Sequence, residues 1–192
     1  MKEAREAWFP KLADMKVSGL VFLDEFGAAT EMTRTRARGP RGERVVCKKP
    51  AGHWKVVSTI AAMTAKGTFA ASSFEGATDT EAFLTFLREE LVPLLKPGQV
   101  LVLDNLSVHK SPKVDALVEA AGARVLRLPP YSPDYNPIEM AISKVKSLLR
   151  REAKREAKAL TDAIDAALKS VTGEDAANFI RHCGYGVSAT GM

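Results

Sequence analysis

Apolar residues occur along the chain in two rhythms, short unbroken runs and stripes with a three-to-four-residue spacing. The runs GLVFLD at 19–24, HWKVVSTIAAM at 53–63, VLVLD at 100–104 and RVLRL at 124–128 are strand-sized and rich in β-formers. Residues 67–72 are placed to pair back on the second run, and Trp54 is assigned to the core with it. The stripe Phe83, Leu84, Phe86, Leu87, Leu91, Leu94 predicts a helix capped at Thr78 or Asp79 and running to about Leu95, where Lys96-Pro97-Gly98 breaks it. Ser111-Pro112 opens a further helix through Ala121, with Gly122 as its stop. Ile138, Ile142, Val145 and Leu149 recur at i, i+4, i+7 and i+11, which predicts a long helix from Pro137 to about Lys158. Two short helices, about 160–170 and 174–182, follow, and residues 28–43 show no periodicity.

This order, three strands and then helices alternating with strands, predicts an α/β domain with a mixed five-stranded sheet flanked by helices. It is the order of a ribonuclease-H-like fold. The chain divides into a lead-in at 1–18, the ribonuclease-H-like domain at 19–158 and a helical extension at 159–192 packed on it.

With 192 residues, 46% hydrophobic and 27% charged, the chain has globular proportions and supports a single core. No apolar run approaches the roughly 20 residues needed to span a bilayer, so no membrane association is expected. The first residues, MKEAREAWFP, lack the apolar stretch of a secretory leader, and the two cysteines, Cys47 and Cys183, form no CxxC pair. A cytoplasmic setting is expected. His53, His109, His182 and the cysteines show no zinc-ligand spacing.

Charge changes the picture more than composition does. The net charge is only +5, yet residues 34–49 carry seven basic groups against one acid, and residues 144–158 carry seven against two. The remainder is therefore acidic. Two concentrated basic segments on such a body suggest a polyanionic partner, though a solvated helix face and a basic loop have the same composition.

Candidate chemistry centres on carboxylates. Two apolar runs each end in an aspartate, Asp24 and Asp104, and a carboxylate there needs a cap, a partner or a metal. Residues just beyond the carboxyl ends of neighbouring strands sit where open α/β sheets build their sites. Glu139 follows Asn136-Pro137 at the start of the long helix. It can serve as a capping-box acid, or it can turn its carboxylate into the same crevice as the aspartates. Three such carboxylates can hold two divalent ions about 3.5–4 Å apart. Glu25, next to Asp24 on an extended strand, points to the opposite face and is a poor co-ligand. Tyr131 and Tyr135 lie in a proline-rich loop beside Glu139, where they either pack the loop or touch nucleic acid.

The segments VFLDEFG, RGPRGERV, GHWKVVSTIAAM, VLVLDNLSVHKS and LPPYSPDYNPIE, in this order, resemble the catalytic domain of DDE transposases, specifically those of bacterial insertion sequences in the mariner-like superfamily. The likeness runs from about Trp8 to Tyr185, and 34 residues separate Asp104 from Glu139, the interval typical of that superfamily. The resemblance implies that Asp24, Asp104 and Glu139 are the catalytic, metal-holding acids and that the cofactor is Mg²⁺ or Mn²⁺, as two ions. It also implies cut-and-paste transposition of double-stranded DNA, by a homodimer in the synaptic complex. Asn105 and His109 fall where relatives have similar residues and are expected to support the acids from behind. Arg38, Arg41, Arg44, Lys48, Lys49, Lys144, Lys146, Arg150 and Arg151 are expected to hold DNA phosphates along the borders of the crevice. Ile142 stands where relatives often carry an aromatic residue. Relatives also have N-terminal helix-turn-helix modules, so a separate or frameshift-fused part is expected to recognise the transposon ends, with the protein at the nucleoid. An inactive or host-recruited DNA-binding remnant, or another ribonuclease-H-like nuclease, remain the alternatives.

Overall fold

The computed structural model describes residues 2–186; positions 187–192 of the expected extension lie outside the described residues. Five strands, β1 (Leu20–Ala29), β2 (Val56–Thr64), β3 (Gly67–Glu75), β4 (Val100–Leu103) and β5 (Arg124–Arg127), form one sheet in the order β3-β2-β1-β4-β5. β1, β2 and β3 are antiparallel neighbours, whereas β4 runs parallel to both β1 and β5. The helices are α1 (Lys2–Glu6), α2 (Thr80–Phe86), α3 (Pro112–Ala120), α4 (Ile138–Glu152), α5 (Ala157–Lys169) and α6 (Gly173–His182).

Alternation along the strands divides the core between the two faces. Leu20, Phe22, Val57, Met63, Val100 and Val102 pack beneath α4, α5 and α6, together with Trp8 from the lead-in. Val21, Leu23, Ile60, Leu101 and Leu103 pack beneath α2 and α3. Even-numbered positions of β1, including Asp24, therefore share the α4 face. Odd-numbered positions, including Glu25, face α2.

Several elements differ from the sequence-based expectation. β1 does not end at Asp24. It continues to Ala29 because β2 pairs with it throughout, whereas its parallel register with β4 stops at Phe22↔Val102. Asp24 thus lies mid-strand, at the point where β1 outlasts its parallel neighbour. Asp79 caps α2 through Ala82 N–H (2.8 Å), but the helix widens into a π turn over Leu87–Leu91 and then tightens to 3₁₀ at Val92–Leu94. Pro93 has no N–H to give and its ring crowds the preceding turn, and Leu94 faces solvent as a result. The long helix predicted to Lys158 ends at Glu152, where Ala153 takes a left-handed conformation (φ 52°). Arg155 fixes that break by donating to the carbonyls of Thr30 and Met32 (2.8 and 3.0 Å). Trp54, assigned to the core from its neighbours, is 54% exposed, because β2 begins only at Val56.

α5 and α6 bury Leu160, Ile164, Leu168 and Ile180 in the same cluster as β1 and α4, so they complete the core on that face. Gly67 opens β3 at φ 111°, and a Cβ there would lie 2.6 Å from the Val171 carbonyl. Glycine is what lets the β2–β3 turn sit against the α5–α6 junction.

Candidate active site

After Leu103 the chain leaves the sheet, and a 3₁₀ turn at Ser107–Lys110 occupies the space beside β1 that β4 has vacated. The proline-rich loop 129–136 then returns over the α4 face before Ile138 starts α4. Between these segments lies a cleft of about 490 Å³, walled by Asp24, Asp104, Asn105, Lys110, Asn136 and Glu139, with Tyr131 also on its lining. The three acids singled out from the sequence line this one cleft. Of the basic residues expected along it, none is on the wall; the cation there is Lys110, which sequence reasoning passed over.

The two aspartates are held differently. Asp24 is 8% exposed; its Oδ1 accepts the Glu25 N–H (2.8 Å) and its Oδ2 accepts the Asn136 side-chain amide (3.0 Å). Burial, reinforced by the nearby charge of Glu139, pushes its carboxyl up to about 7. Asp104 Oδ1 accepts both the Leu106 N–H (2.9 Å) and His109 Nδ1–H (2.6 Å). Burial pushes this carboxyl upward too, but the bonds from His109 and Leu106 outweigh it and hold it below the usual carboxylate range.

Asn136 and Glu139 resolve the alternatives left open for the helix start. No side chain caps α4, so the capping box does not form. Asn136 is buried and turned to Asp24, its own Oδ1 without a partner, while the exposed Glu139 carboxylate faces the cleft. Asn105 donates to the Leu128 carbonyl and thereby joins the two loops that frame the cleft. His109 is 0% exposed, with its ring against Phe83 (centroids 4.5 Å apart). Its Nε2 reaches the Glu25 carboxylate at 2.8 Å. Burial opposes its charge, but the bonds to Asp104 and Glu25 prevail and bring its pKa up to about 9. Arg127 fixes the turn from below, donating to the His109 carbonyl (2.5 and 3.2 Å) and gripping Asp115 with both arms (3.0 and 2.9 Å). The signal for Glu25 was present in the sequence as an acid within the apolar run LVFLDEF, but its partner His109 lies 84 residues further along the chain.

The basic segments have mixed placements. Arg38, Arg41, Arg44, Lys48 and Lys49 are exposed in the irregular stretch between β1 and β2, with Lys49 paired to Glu31 (2.7 Å). On α4, Arg150 is half-buried, Arg151 is exposed, and Lys146 lies over the Phe26 ring (5.7 Å). Lys144 does not face a free surface. It donates to Asp175 (2.6 Å) and to the Ser170 carbonyl (3.1 Å), because Asp175, the capping-box acid of α6, draws it there. Tyr131 is 88% exposed at the mouth of the cleft, while Tyr135 packs edge-on against Phe9 under the Arg5 guanidinium.

Among the described residues, no trio of His, Cys, Asp or Glu stands close enough to ligate one ion as placed. Burial first, and the charge of Glu139 second, keep the Asp24 carboxyl raised in this arrangement. The donors are nevertheless of the right chemistry. Hard carboxylate oxygens, one set crowded enough to resist ionisation, fit Mg²⁺ or Mn²⁺.

The sheet order and the acidic cleft beyond β4 define a ribonuclease-H-like α/β domain. A sequence profile described as DDE superfamily endonuclease matches residues 19–161, and the chain belongs to that family. Among curated protein sequences, none matches. Among solved structures, the Mos1 transposase paired-end complex with left transposon end superposes with a TM-score of 0.78 at 15% identity, over 95% of this chain and 57% of that one. The Mos1 strand transfer complex gives 0.77 at 16%, over 95% and 56%. The isolated catalytic domain of Mos1 mariner transposase gives 0.65 at 14%, over 95% and 85%. At these identities the likeness is one of fold, and the chain spans a little over half the length of the full transposase chains. No helix among the described residues is long and apolar enough to cross a membrane.

Proposed function

We propose that the chain is the catalytic part of a mariner-like DNA transposase, which cuts phosphodiesters at the ends of its element and joins the freed 3′-OH to target DNA. The observation that carries this reading is the meeting of Asp24, Asp104 and Glu139 on one cleft wall, in a member of the DDE superfamily endonucleases. Asp24 and Asp104 would hold Mg²⁺ or Mn²⁺ between them, with Glu139 completing a second position. When bound, such ions polarise the phosphate and make a nucleophile of water or of the 3′-OH. The Mos1 complexes with Mg and with Mn are in keeping with this donor set.

The chain's own groups supply positioning. Asn136 holds the Asp24 carboxylate toward the cleft, and Asn105 keeps the two framing loops together. Lys110 offers a positive charge to the phosphate backbone as it enters an otherwise acidic cleft. A phosphoryl transfer built this way depends on placement and charge neutralisation, which suits a site with no reactive Ser or Cys. The nucleic-acid reading for Arg38, Arg41, Arg44, Lys48, Lys49, Lys146, Arg150 and Arg151 rests on their clustering. Lys144 is better placed as a structural tie to α6. A separate or frameshift-fused N-terminal part would recognise the transposon ends, and a homodimer would hold them in the synaptic complex.

The test is Mn²⁺-dependent nicking of supercoiled plasmid, and joining of a duplex carrying the element's own end, by the wild type and by Asp24→Asn, Asp104→Asn and Glu139→Gln. Loss of both activities in all three folded variants supports the reading. Activity that survives any of them contradicts it.

A further inference from the structure

Glu25 is the charge in this structure that its surroundings explain least. It projects from β1 onto the face packed by Val21, Leu23, Ile60 and Phe83, where an ionised carboxylate is out of place. Its side chain is 11% exposed, its Oε1 bonds His109 Nε2 at 2.8 Å, and its Oε2 is buried without a hydrogen-bond partner. A buried ion pair with half of one carboxylate unsatisfied is a poor device for stability, since apolar residues of similar volume commonly do as well or better. The pair has another consequence. His109 uses its second nitrogen on Asp104 Oδ1, and its main chain is pinned by Arg127. With Oδ1 occupied by His109 and by the Leu106 N–H, Asp104 has Oδ2 left for the cleft.

We propose that Glu25 is a positioning residue: through His109 it fixes the orientation of the Asp104 carboxylate and so decides which oxygen faces the cleft. The logic inverts the familiar carboxylate–histidine–metal arrangement, in which a carboxylate orients a ligating histidine. Here the histidine stands behind the carboxylate, and a second carboxylate stands behind the histidine. The two sides of the sheet are thereby joined. Asp104 lies on the α4 side, Glu25 on the α2 side, and His109 passes through the gap that β4 leaves beside β1.

The inference rests on Asp104 being a metal-holding acid, and the experiment separates the two claims. Mn²⁺ binding to the full chain is measured by calorimetry for the wild type, Asp104→Ala, Glu25→Ala and Glu25→Gln, well below each melting temperature. Asp104→Ala should lose binding. Glu25→Ala should weaken it by about 10–100-fold, the usual cost of removing such a supporting group. Glu25→Gln, whose amide oxygen still accepts from His109, should stay within about threefold of the wild type. Should Glu25→Ala not fold, Glu25→Asp, one methylene too short to reach His109, carries the same expected loss. Wild-type affinity in Glu25→Ala or Glu25→Asp, beside lost binding in Asp104→Ala, overturns the positioning role and leaves the metal reading intact. So does an equal loss in Glu25→Gln and Glu25→Ala. Wild-type affinity in Asp104→Ala overturns the metal reading itself.

Discussion

Asp24 lies within β1 and Asp104 just past the end of its neighbour β4; the same residue type lines the same cleft twice, yet the surroundings push the two in opposite directions. Asp24 is buried, faces Glu139 and has neutral donors, an amide side chain and a backbone N–H, so its carboxyl rises to about 7. Asp104 leans on a histidine that two carboxylates make cationic, so it stays below the ordinary range. The difference lies first in the deeper burial of Asp24 and then in the partner's charge, rather than in the count of hydrogen bonds. One acid is left with an unmet need for positive charge, and the other has a fixed cation behind it.

Exchanging each aspartate for asparagine gives the largest contrast. Both Asp24→Asn and Asp104→Asn should lower DNA cleavage by at least about 10³-fold, or about 4 kcal/mol of transition-state stabilisation. In metal-free buffer at pH 8 their stabilities should part. Asp24→Asn removes a crowded charge, and the unpartnered Asn136 Oδ1 can accept from the new amide after the Asn136 side chain turns over. It should gain about 2–4 kcal/mol by denaturant unfolding. Asp104→Asn should lose about 1 kcal/mol, because a partly exposed charge returns less to stability than a buried one.

The pH dependence of stability sharpens the same contrast. A carboxyl that is raised in the fold binds its proton more tightly there than in the unfolded chain. Its stabilising effect is complete below about pH 4 and is lost as pH rises through about 7. Without metal, this group alone should reduce stability by on the order of 4 kcal/mol across that window, and Asp24→Asn should remove that slope. The His109 contribution is full below its unfolded value and is lost as pH climbs through about 9. The wild type should therefore show a second decline at alkaline pH that Asp24→Asn keeps.

Removing the partners comes next in size. His109→Ala strips the cation from two carboxylates and opens a cavity beside Phe83, and should cost about 3–5 kcal/mol. Asn136→Ala, which removes a neutral donor from Asp24, should cost about 1–3 kcal/mol and raise the Asp24 carboxyl further. A reversed order in guanidinium melts breaks the account of why the two aspartates differ. The smallest effect is expected at Lys144. Its change to Ala should lower the melting temperature slightly by freeing Asp175, and should leave the salt dependence of DNA binding unchanged.

Much of this arrangement was legible in the sequence, and the omissions have physical reasons. The apolar runs before Asp24 and Asp104 and the stripe from Ile138 to Leu149 are local patterns, and they gave the order of these strands and of the helix. The break at Ala153 was not legible, since RREAKREAK favours helix throughout; a tertiary contact from Arg155 to the end of β1 makes the turn. Trp54 was misplaced because strand boundaries depend on where β1 stops offering a partner. Glu25 was dismissed by strand alternation, and that rule was right about direction. What it missed was a histidine arriving from a later turn to fill the gap beside β1. Asn136 read as a helix cap because Asn-Pro-x-Glu is a good cap, and only the folded chain brings Asp24 within its reach.

The central claim is that Asp24 carries its charge in this fold for the sake of a divalent cation. Thermal unfolding at pH 8 with and without saturating Mn²⁺, for the wild type and for Asp24→Asn, tests it most directly. Ligation that stabilises the native state by about 2.7 kcal/mol at a hundredfold excess over Kd corresponds to a rise of roughly 5–10 °C for a domain of this size. The account predicts that rise in the wild type and little or none in Asp24→Asn, whose metal-free melting temperature should already be the higher of the two. Equal shifts in both proteins, or no shift in the wild type, would contradict it.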